Sequence, residues 1–318
     1  MMAFLSRLPG WIFILVLPLL VVLGCTKNDN KVAAPPTIPD RILEDSQLSL
    51  FRAAVAYADV SDALKGGNLT LFAPTDSAFQ ASGLAGAGAL TSMSREQVRS
   101  LVLYHVLYGS VASAPIPSGC NPVETVSKGI AFVNKSSDGT TYINNARLIQ
   151  TDLALANGYI HKINRVLTPA TGDLLTALQS NPNLTFLSAA IKRISSNTTL
   201  LATLKNALST ANVTIFAPND DAFKADSRYN NLSAIESADP QTLANILLYH
   251  VTSGVLFSNQ LQTGSLTSLY SGNRFSVTVT SGQVTVKGNK NATAATIKQA
   301  DLTANNGVIH VVDKLLQP

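Results

Sequence analysis

Apolar positions along the chain repeat first with helical spacing and then with a period of two, which predicts helices followed by strands. The helical spacing is clearest at Leu48, Phe51 and Val55, and again at Leu184, Leu187 and Ile191. Over residues 275–280, apolar side chains alternate with Ser and Thr, and Ser281-Gly282 follows as a turn. The pattern predicts an α+β fold with a β-rich second half.

Three motifs occur twice in the same order, which indicates an internal duplication. Residues 70–79 (TLFAPTDSAF) recur as 214–223 (TIFAPNDDAF), 103–106 (LYHV) as 248–251 (LYHV), and 157–161 (NGYIH) as 306–310 (NGVIH). This order indicates two copies of one domain rather than a short-period solenoid. We place the first copy at 41–169 and the second copy at 172–318.

Helix starts can be read from the residues that follow the first motif. Pro74 ends a short apolar strand because it lacks a backbone donor, and Thr75 and Asn219 suit the N-cap of the next helix. Residues 94–97 (SREQ) match a capping box, and 239–240 (DP) offer a cap followed by an N1 proline. Each of these last two signals predicts a helix that runs into a Tyr-His pair.

The N-terminus has the pattern of an export signal. Residues 1–24 carry one charge, Arg7, and an apolar run that is shorter than the roughly 20 residues needed to span a bilayer. Gly24 before Cys25 resembles the bacterial lipobox, in which the cysteine is lipidated and becomes the first residue. We predict a lipoprotein signal peptide at 1–24, lipidation of Cys25 and a tether at 25–40, so that the membrane is a partner. An ordinary export signal is the alternative.

Composition excludes several classes of protein. With 318 residues, 13% charged residues and a formal net charge of +4, the chain has room for two domains but lacks the charge of a nucleic-acid binder. Two cysteines and four histidines cannot supply a disulfide framework or a thiolate zinc site. No phosphate-binding glycine motif is present. We therefore predict no cofactor, no metal and no nucleic-acid partner.

The duplicated motifs resemble the fasciclin domain, and the resemblance covers residues 41–318. It implies two tandem fasciclin-like domains of α+β class, each a wedge of two small β-sheets with packed helices. Members of that family are mostly secreted or surface-anchored adhesion modules without assigned catalytic chemistry. By resemblance, the candidate adhesion residues are Tyr104, His105, Tyr249 and His250.

The motif histidines allow two chemical interpretations. Four further residues of the duplicated motifs are predicted to have a structural role: Asp76, His161, Asp220 and His310. Two histidines and one carboxylate per copy could bind a metal. We favour instead a buried network in which Asp76–His105 and Asp220–His250 contacts, or their backbone equivalents, hold the first motif to the Tyr-His helix end. Tyr104 and Tyr249 are then core aromatics with a polar tip, rather than exposed ligand contacts.

These observations favour a non-catalytic, lipid-anchored protein of the bacterial cell envelope, at the periplasmic or surface face of the outer membrane. Its domains would mediate adhesion by binding a protein or a polysaccharide. The alternative is a periplasmic or surface protein that binds a small ligand or glycan. An exposed apolar patch would favour adhesion, and a closed cleft on the order of several hundred Å³ would favour a small ligand. An enzyme would need an open polar pocket with a nucleophile.

Overall fold

A computed structural model describes residues 34–170, 172–209 and 212–318. Residues Pro35–Pro318 form one compact unit that contains both copies of the repeat. The predicted leader at 1–24 and Cys25 lie outside the described residues. Within the described ranges, none of the helices is long and apolar enough to cross a membrane.

The first copy contains short helices before and after its first strand and a run of strands after the Tyr-His pair. Its helices are α1 (Ile38–Glu44), α2 (Ser49–Ala58), α3 (Asp76–Ala81), α4 (Ala87–Thr91) and α5 (Arg95–Tyr104). Its strands are β1 (Leu69–Pro74), β2 (Val106–Tyr108), β3 (Gly119–Glu124), β4 (Ile130–Lys135), β5 (Thr141–Ile143), β6 (Ala146–Leu155) and β7 (Gly158–Ile163). Helix α1 begins inside the predicted tether, and Ile38 is fully buried. The folded part therefore starts before residue 41.

The second copy repeats this order with one added helix. Its helices are α6 (Leu174–Ser180), α7 (Thr185–Ile194), α8 (Thr198–Ser209), α9 (Asp220–Lys224), α10 (Leu232–Ser237) and α11 (Pro240–Tyr249). Its strands are β8 (Val213–Pro218), β9 (Val251–Ser253), β10 (Gly264–Thr267), β11 (Arg274–Thr280), β12 (Gln283–Gly288), β13 (Ala295–Ala304) and β14 (Gly307–Val312). Helix α8 lies where the first copy has only a short 3₁₀ helix, Ser61–Lys65.

The predicted helix starts are confirmed by their hydrogen bonds. Thr75 Oγ1 accepts from the Ala78 N–H at 3.3 Å, and Asn219 caps α9 in the same way. Ser94 and Gln97 form the reciprocal capping box of α5. Asp239 caps α11, whose N1 residue is Pro240. These starts depend on contacts within four residues, which is why sequence alone locates them.

Each copy builds one sheet of seven strands. In the first copy the strand order is β2-β1-β7-β6-β5-β4-β3, and only the β1–β7 pair is parallel. Strand β6 pairs with β5 at its start and with β7 further on, with bulges between Leu148 and Leu153. A Leu107–Thr125 bridge brings the two edges together, so the sheet is nearly closed.

The second copy has the corresponding strand order, β9-β8-β14-β13-β12-β11-β10, read from the other edge. A Thr252–Ser268 bridge again joins the two edges. The predicted α+β fold of two tandem domains is confirmed. The two small sheets predicted for each wedge are joined into one sheet, because they share a long strand. This strand is β6 in the first copy and β13 in the second.

An apolar contact joins the two copies. The rings of Phe132 on β4 and Phe257 after β9 lie 6.1 Å apart, and both are buried with Val255 and Val308. The Ile130 N–H donates to the side-chain oxygen of Asn305 at 3.2 Å. Burial of this cluster fixes the β4 face of the first copy against the second copy.

Candidate functional site

His105 ends helix α5 inside the first copy and is fully buried. Its Nδ1 lies 2.7 Å from the Leu101 carbonyl oxygen, and its Nε2 accepts from the Leu167 N–H at 2.9 Å. Because a carbonyl only accepts and an N–H only donates, the ring proton is on Nδ1. Both ring nitrogens are therefore occupied by backbone groups.

His161 lies on β7, and its ring is held in the opposite tautomer. Its Nδ1 accepts from the Asp152 N–H at 3.1 Å, and its Nε2–H donates to the Val111 carbonyl at 2.9 Å. The ring also stacks on Phe72, with centroids 5.4 Å apart. This histidine thus ties β7 to the bulge of β6 and to the chain after β2.

The second copy repeats both arrangements. His250 bonds Ile246 O at 2.7 Å and Leu316 N at 2.8 Å, and His310 bonds Asp301 N at 3.3 Å and Leu256 O at 2.8 Å. Both ring nitrogens of each histidine in the duplicated motifs therefore form hydrogen bonds with backbone groups of the same copy. None has a nitrogen left to bind a metal or to accept a proton from a substrate.

Burial keeps these rings neutral. It lowers the pKa of His105 and of His250 from 6.5 to about 4, against the opposing effect of the bonded carbonyls. Burial also lowers the pKa of His161 and of His310, although the Asp152 and Asp301 carboxylates oppose it. At neutral pH the four rings carry no charge.

The predicted side-chain contacts Asp76–His105 and Asp220–His250 are wrong. Asp76 accepts from Ser49 Oγ at 2.6 Å and from the Leu50 N–H at 2.8 Å, at the start of α2. A helix start has N–H groups without intrahelical partners and a positive dipole end, so a carboxylate is better placed there than beside a neutral ring.

The backbone alternative to those contacts is present in both copies. The Phe72 N–H donates to the His105 carbonyl at 2.9 Å, and the Phe216 N–H donates to the His250 carbonyl at the same distance. The first motif is therefore held to the Tyr-His helix end through the main chain.

Replacement of Asp220 by Ala should destabilise the second copy. Asp220 accepts from Thr185 Oγ1 at 2.7 Å and from the Phe186 N–H at 3.0 Å, so its loss leaves the start of α7 uncapped. We expect the free energy of unfolding to fall by about 1–2 kcal/mol in urea denaturation. Asp221→Ala is the control, since among the described residues that carboxylate forms an exposed ion pair with Lys224 and no hydrogen bond to α7. Equal stability of the two variants would contradict the capping role.

Tyr104 and Tyr249 lie in the cores with their hydroxyl groups paired. Tyr104 donates to the Ile130 carbonyl at 2.7 Å and Tyr249 to the Arg274 carbonyl at 2.7 Å. Burial raises the pKa of Tyr104 to about 12. The arrangement agrees with core aromatics that have a polar tip.

Burial bears directly on the candidate adhesion residues. The exposed fraction is 0% for Tyr104, His105 and Tyr249 and 1% for His250. A partner at the surface of this conformation cannot contact these side chains. Their role in adhesion stays a prediction, and the geometry supports a role in holding each copy together.

A Ser-Asp-His group in each copy was missed from the sequence. The Ser113 hydroxyl bonds the Asp152 carboxylate, and the backbone of Asp152 bonds His161. In a hydrolytic triad the histidine must bond the serine, whereas here the carboxylate does and both histidine nitrogens are occupied. The group is therefore not a hydrolytic triad. Its signal in the sequence was the recurrence of Asp-Leu at 152–153 and 301–302.

Among the described residues, two cavities and the grouping of metal-ligating side chains bear on a possible reaction site. Within the described ranges, no group of three or more His, Cys, Asp or Glu side chains could hold a metal ion. An apolar cavity beside Leu204 and Leu247 has a volume of 20 Å³, about the space of one water molecule. A much larger groove of 760 Å³ is open to solvent and contains Asn145 and Arg165 of the first copy and Gln283 of the second.

The sequence matches the Fasciclin domain over residues 46–169 and 182–318. The chain belongs to the fasciclin-domain family. Fasciclin-domain relatives are adhesion-related proteins, and relatives exist in bacteria. Membership accounts for the duplicated motifs and for the shared fold of the two copies.

Individual relatives are distant from this fasciclin-domain protein. It is 27% identical to Periostin of Homo sapiens over 289 residues, which covers 89% of this chain and 31% of periostin. It is 34% identical to Protein sll1483 of Synechocystis over 139 residues, 42% of this chain and 73% of that protein. A solved FAS1 domain pair from the insect cell adhesion molecule Fasciclin I is 19% identical, with a TM-score of 0.39, over 85% of this chain and 96% of that chain. The chain spans about a third of the length of the curated relatives it matches first.

Proposed function

We propose that this fasciclin-domain protein is a non-catalytic adhesion protein of the bacterial cell envelope. Cys25 anchors it by lipid in the outer membrane, at the periplasmic or surface face, and its two domains bind a protein or a polysaccharide. One observation carries the non-catalytic part: every ring nitrogen of the motif histidines bonds the backbone of its own copy. Bonds of this kind, repeated in both copies, hold a scaffold together and leave no ring nitrogen for a reaction.

The shape of the surface supports a large partner over a small enclosed ligand. The apolar cavity of 20 Å³ is too small for a metabolite, whereas the groove of 760 Å³ is open to solvent. Large apolar side chains that are exposed lie on separate elements, among them Leu43 on α1 and Tyr108 on β2. The open groove suits an extended polymer, whereas these separate side chains are not evidence of an exposed apolar patch. The adhesion-related family of the chain supports the same proposal.

The anchor and the adhesion are tested together in cells that express the full chain. We expect radiolabelled palmitate in the protein, and retention of the cells on surfaces coated with envelope or matrix polysaccharide. Cys25→Ser should lose the label and the retention, while Cys120→Ser, which alters the exposed thiol on β3, should keep both. Label in Cys25→Ser would refute the anchor. Equal retention of cells that lack the protein would refute adhesion.

A further inference from the structure

A groove of 460 Å³ runs between three helices of the second copy, α6, α7 and α8. Each helix contributes a pair of residues one turn apart: Leu175 and Gln179, Ser188 and Lys192, and Leu201 and Lys205. Side chains at positions i and i+4 lie on the same face of a helix, so the three pairs face a common space.

Burial gives the groove an apolar floor and a polar rim. Ile191 is buried, and Leu175 and Leu201 are half-buried, whereas Lys192 and Lys205 are exposed. Among the described residues, neither lysine forms an ion pair, and none of the residues lining the groove is acidic. The rim therefore has positive charge that the protein does not neutralise there.

Ser188 adds a second and independent feature. Its Oγ is buried and lacks a hydrogen-bond partner within the described part of the chain. Buried hydroxyl groups are nearly always paired, so an unpaired one that lines a groove is suited to a polar ligand. The exposed amide of Gln179 lies at the same groove and can both donate and accept.

Among the described residues, the first copy has no counterpart of helix α8, which forms one side of this groove, although its helix α2 corresponds to α7. Asp76 caps the start of α2 as Asp220 caps the start of α7, which aligns Arg52 with Ser188 and Ala56 with Lys192. Arg52 donates to the Leu43 carbonyl and so lies toward α1. A fasciclin domain thus folds without these side chains, and the groove is specific to the copy that has α8.

We propose that the groove binds an acidic polysaccharide, whose sugars carry carboxylate or sulfate groups. Lys192 and Lys205 would pair with the anionic groups, Gln179 and Ser188 would bond ring hydroxyls, and the half-buried Leu175 and Leu201 would contact the C–H faces of the sugars. The inference rests on the polysaccharide form of the proposed function and names its ligand class and its site.

The test measures binding of the purified full chain in detergent to three immobilised polymers: polygalacturonate, dextran sulfate and neutral dextran. We expect binding to at least one acidic polymer and none to dextran; which acidic polymer binds tells carboxylate from sulfate. Lys192→Gln/Lys205→Gln should weaken binding on the order of tenfold or more, since two charge-assisted contacts are lost. Ser188→Ala should weaken it severalfold with both lysines present.

Lys287→Gln/Lys290→Gln is the matched control, because it removes the same charge from β12 and the turn after it. It should bind within about twofold of the unchanged chain if contact rather than net charge matters. Equal loss in both double variants, or no loss in Lys192→Gln/Lys205→Gln, overturns the site while the proposed function stands. If the unchanged chain binds no polysaccharide, the inference fails together with the polysaccharide form of the proposed function. Unchanged melting temperatures confirm that the variants are folded.

Discussion

The free energy of unfolding should fall steeply as the pH is lowered from 6.5 to about 4. In this window the folded protein keeps His105 and His250 neutral, while the unfolded chain protonates them at their ordinary pKa. The unfolded state then binds more protons, so stability is fully present above pH 6.5 and is lost as the pH falls toward 4. Each of these two groups accounts for about 3 kcal/mol of the loss.

The other two histidines act in the same direction. Burial lowers the pKa of His161 and of His310, so their protonation on unfolding adds to the loss. Carboxylates whose pKa the fold lowers, such as that of Asp226, have an ordinary pKa of 3.8 in the unfolded chain and so contribute only below about pH 5. The upper part of the window therefore reports on the histidines.

Urea denaturation at successive pH values measures this effect. His250→Gln, whose amide can both donate and accept, should lower stability at neutral pH and reduce the slope between pH 6.5 and 4 by about one proton. Asn289→Asp is the control, because it adds a carboxyl group instead of removing an imidazole. It should leave the slope of the free energy of unfolding against pH unchanged in the upper part of the window. A free energy that stays constant across the window would show that the rings are not buried in their neutral form.

Gly158→Ala should prevent the first copy from folding. Gly158 opens β7 opposite Leu69 of β1, with a φ of 149°, and an added Cβ would lie 1.8 Å from the Leu69 carbonyl oxygen. The blocking atom belongs to the backbone of the parallel pair, so it cannot move without breaking the sheet. We expect a loss of more than about 4 kcal/mol, which is exceptional for one substitution.

Two other glycines provide the comparisons for this variant: the equivalent glycine of the second copy and a glycine with open space around it. Gly307→Ala should have the same effect, because its Cβ would lie 2.1 Å from the Val213 carbonyl oxygen. Gly67→Ala should change stability little, since nothing lies within 4 Å of its added Cβ. Circular dichroism melts decide the question. A melting temperature of Gly158→Ala close to that of Gly67→Ala would contradict the packing described for β1 and β7.

The features that sequence predicts correctly are local or duplicated. Thr75, Ser94 and Asp239 cap the helices that follow them, because a cap needs only its own next residues. The duplication fixes which positions of the two copies correspond. Both kinds of inference are independent of how distant segments meet.

Features that depend on contacts between distant segments cannot be predicted from the sequence pattern. Asp76 finds its partners at the start of α2, which periodicity does not place beside it. Cys120 and Pro122 lie on β3, an edge strand where a proline costs no sheet hydrogen bond on its free side, and which segment pairs with that strand is set by distant residues. Asn157-Gly158 predicts a turn by tolerance of positive φ, whereas Asn157 also holds the Ile38 N–H and the Leu64 carbonyl.

The motif histidines are neutral structural groups whose rings are fixed by backbone hydrogen bonds. Heteronuclear NMR of the imidazole nitrogens at neutral pH tests this most directly. We predict two rings protonated at Nδ1, His105 and His250, and two at Nε2, His161 and His310, each as a single tautomer. Imidazolium signals, or rings that exchange between tautomers, would contradict the account.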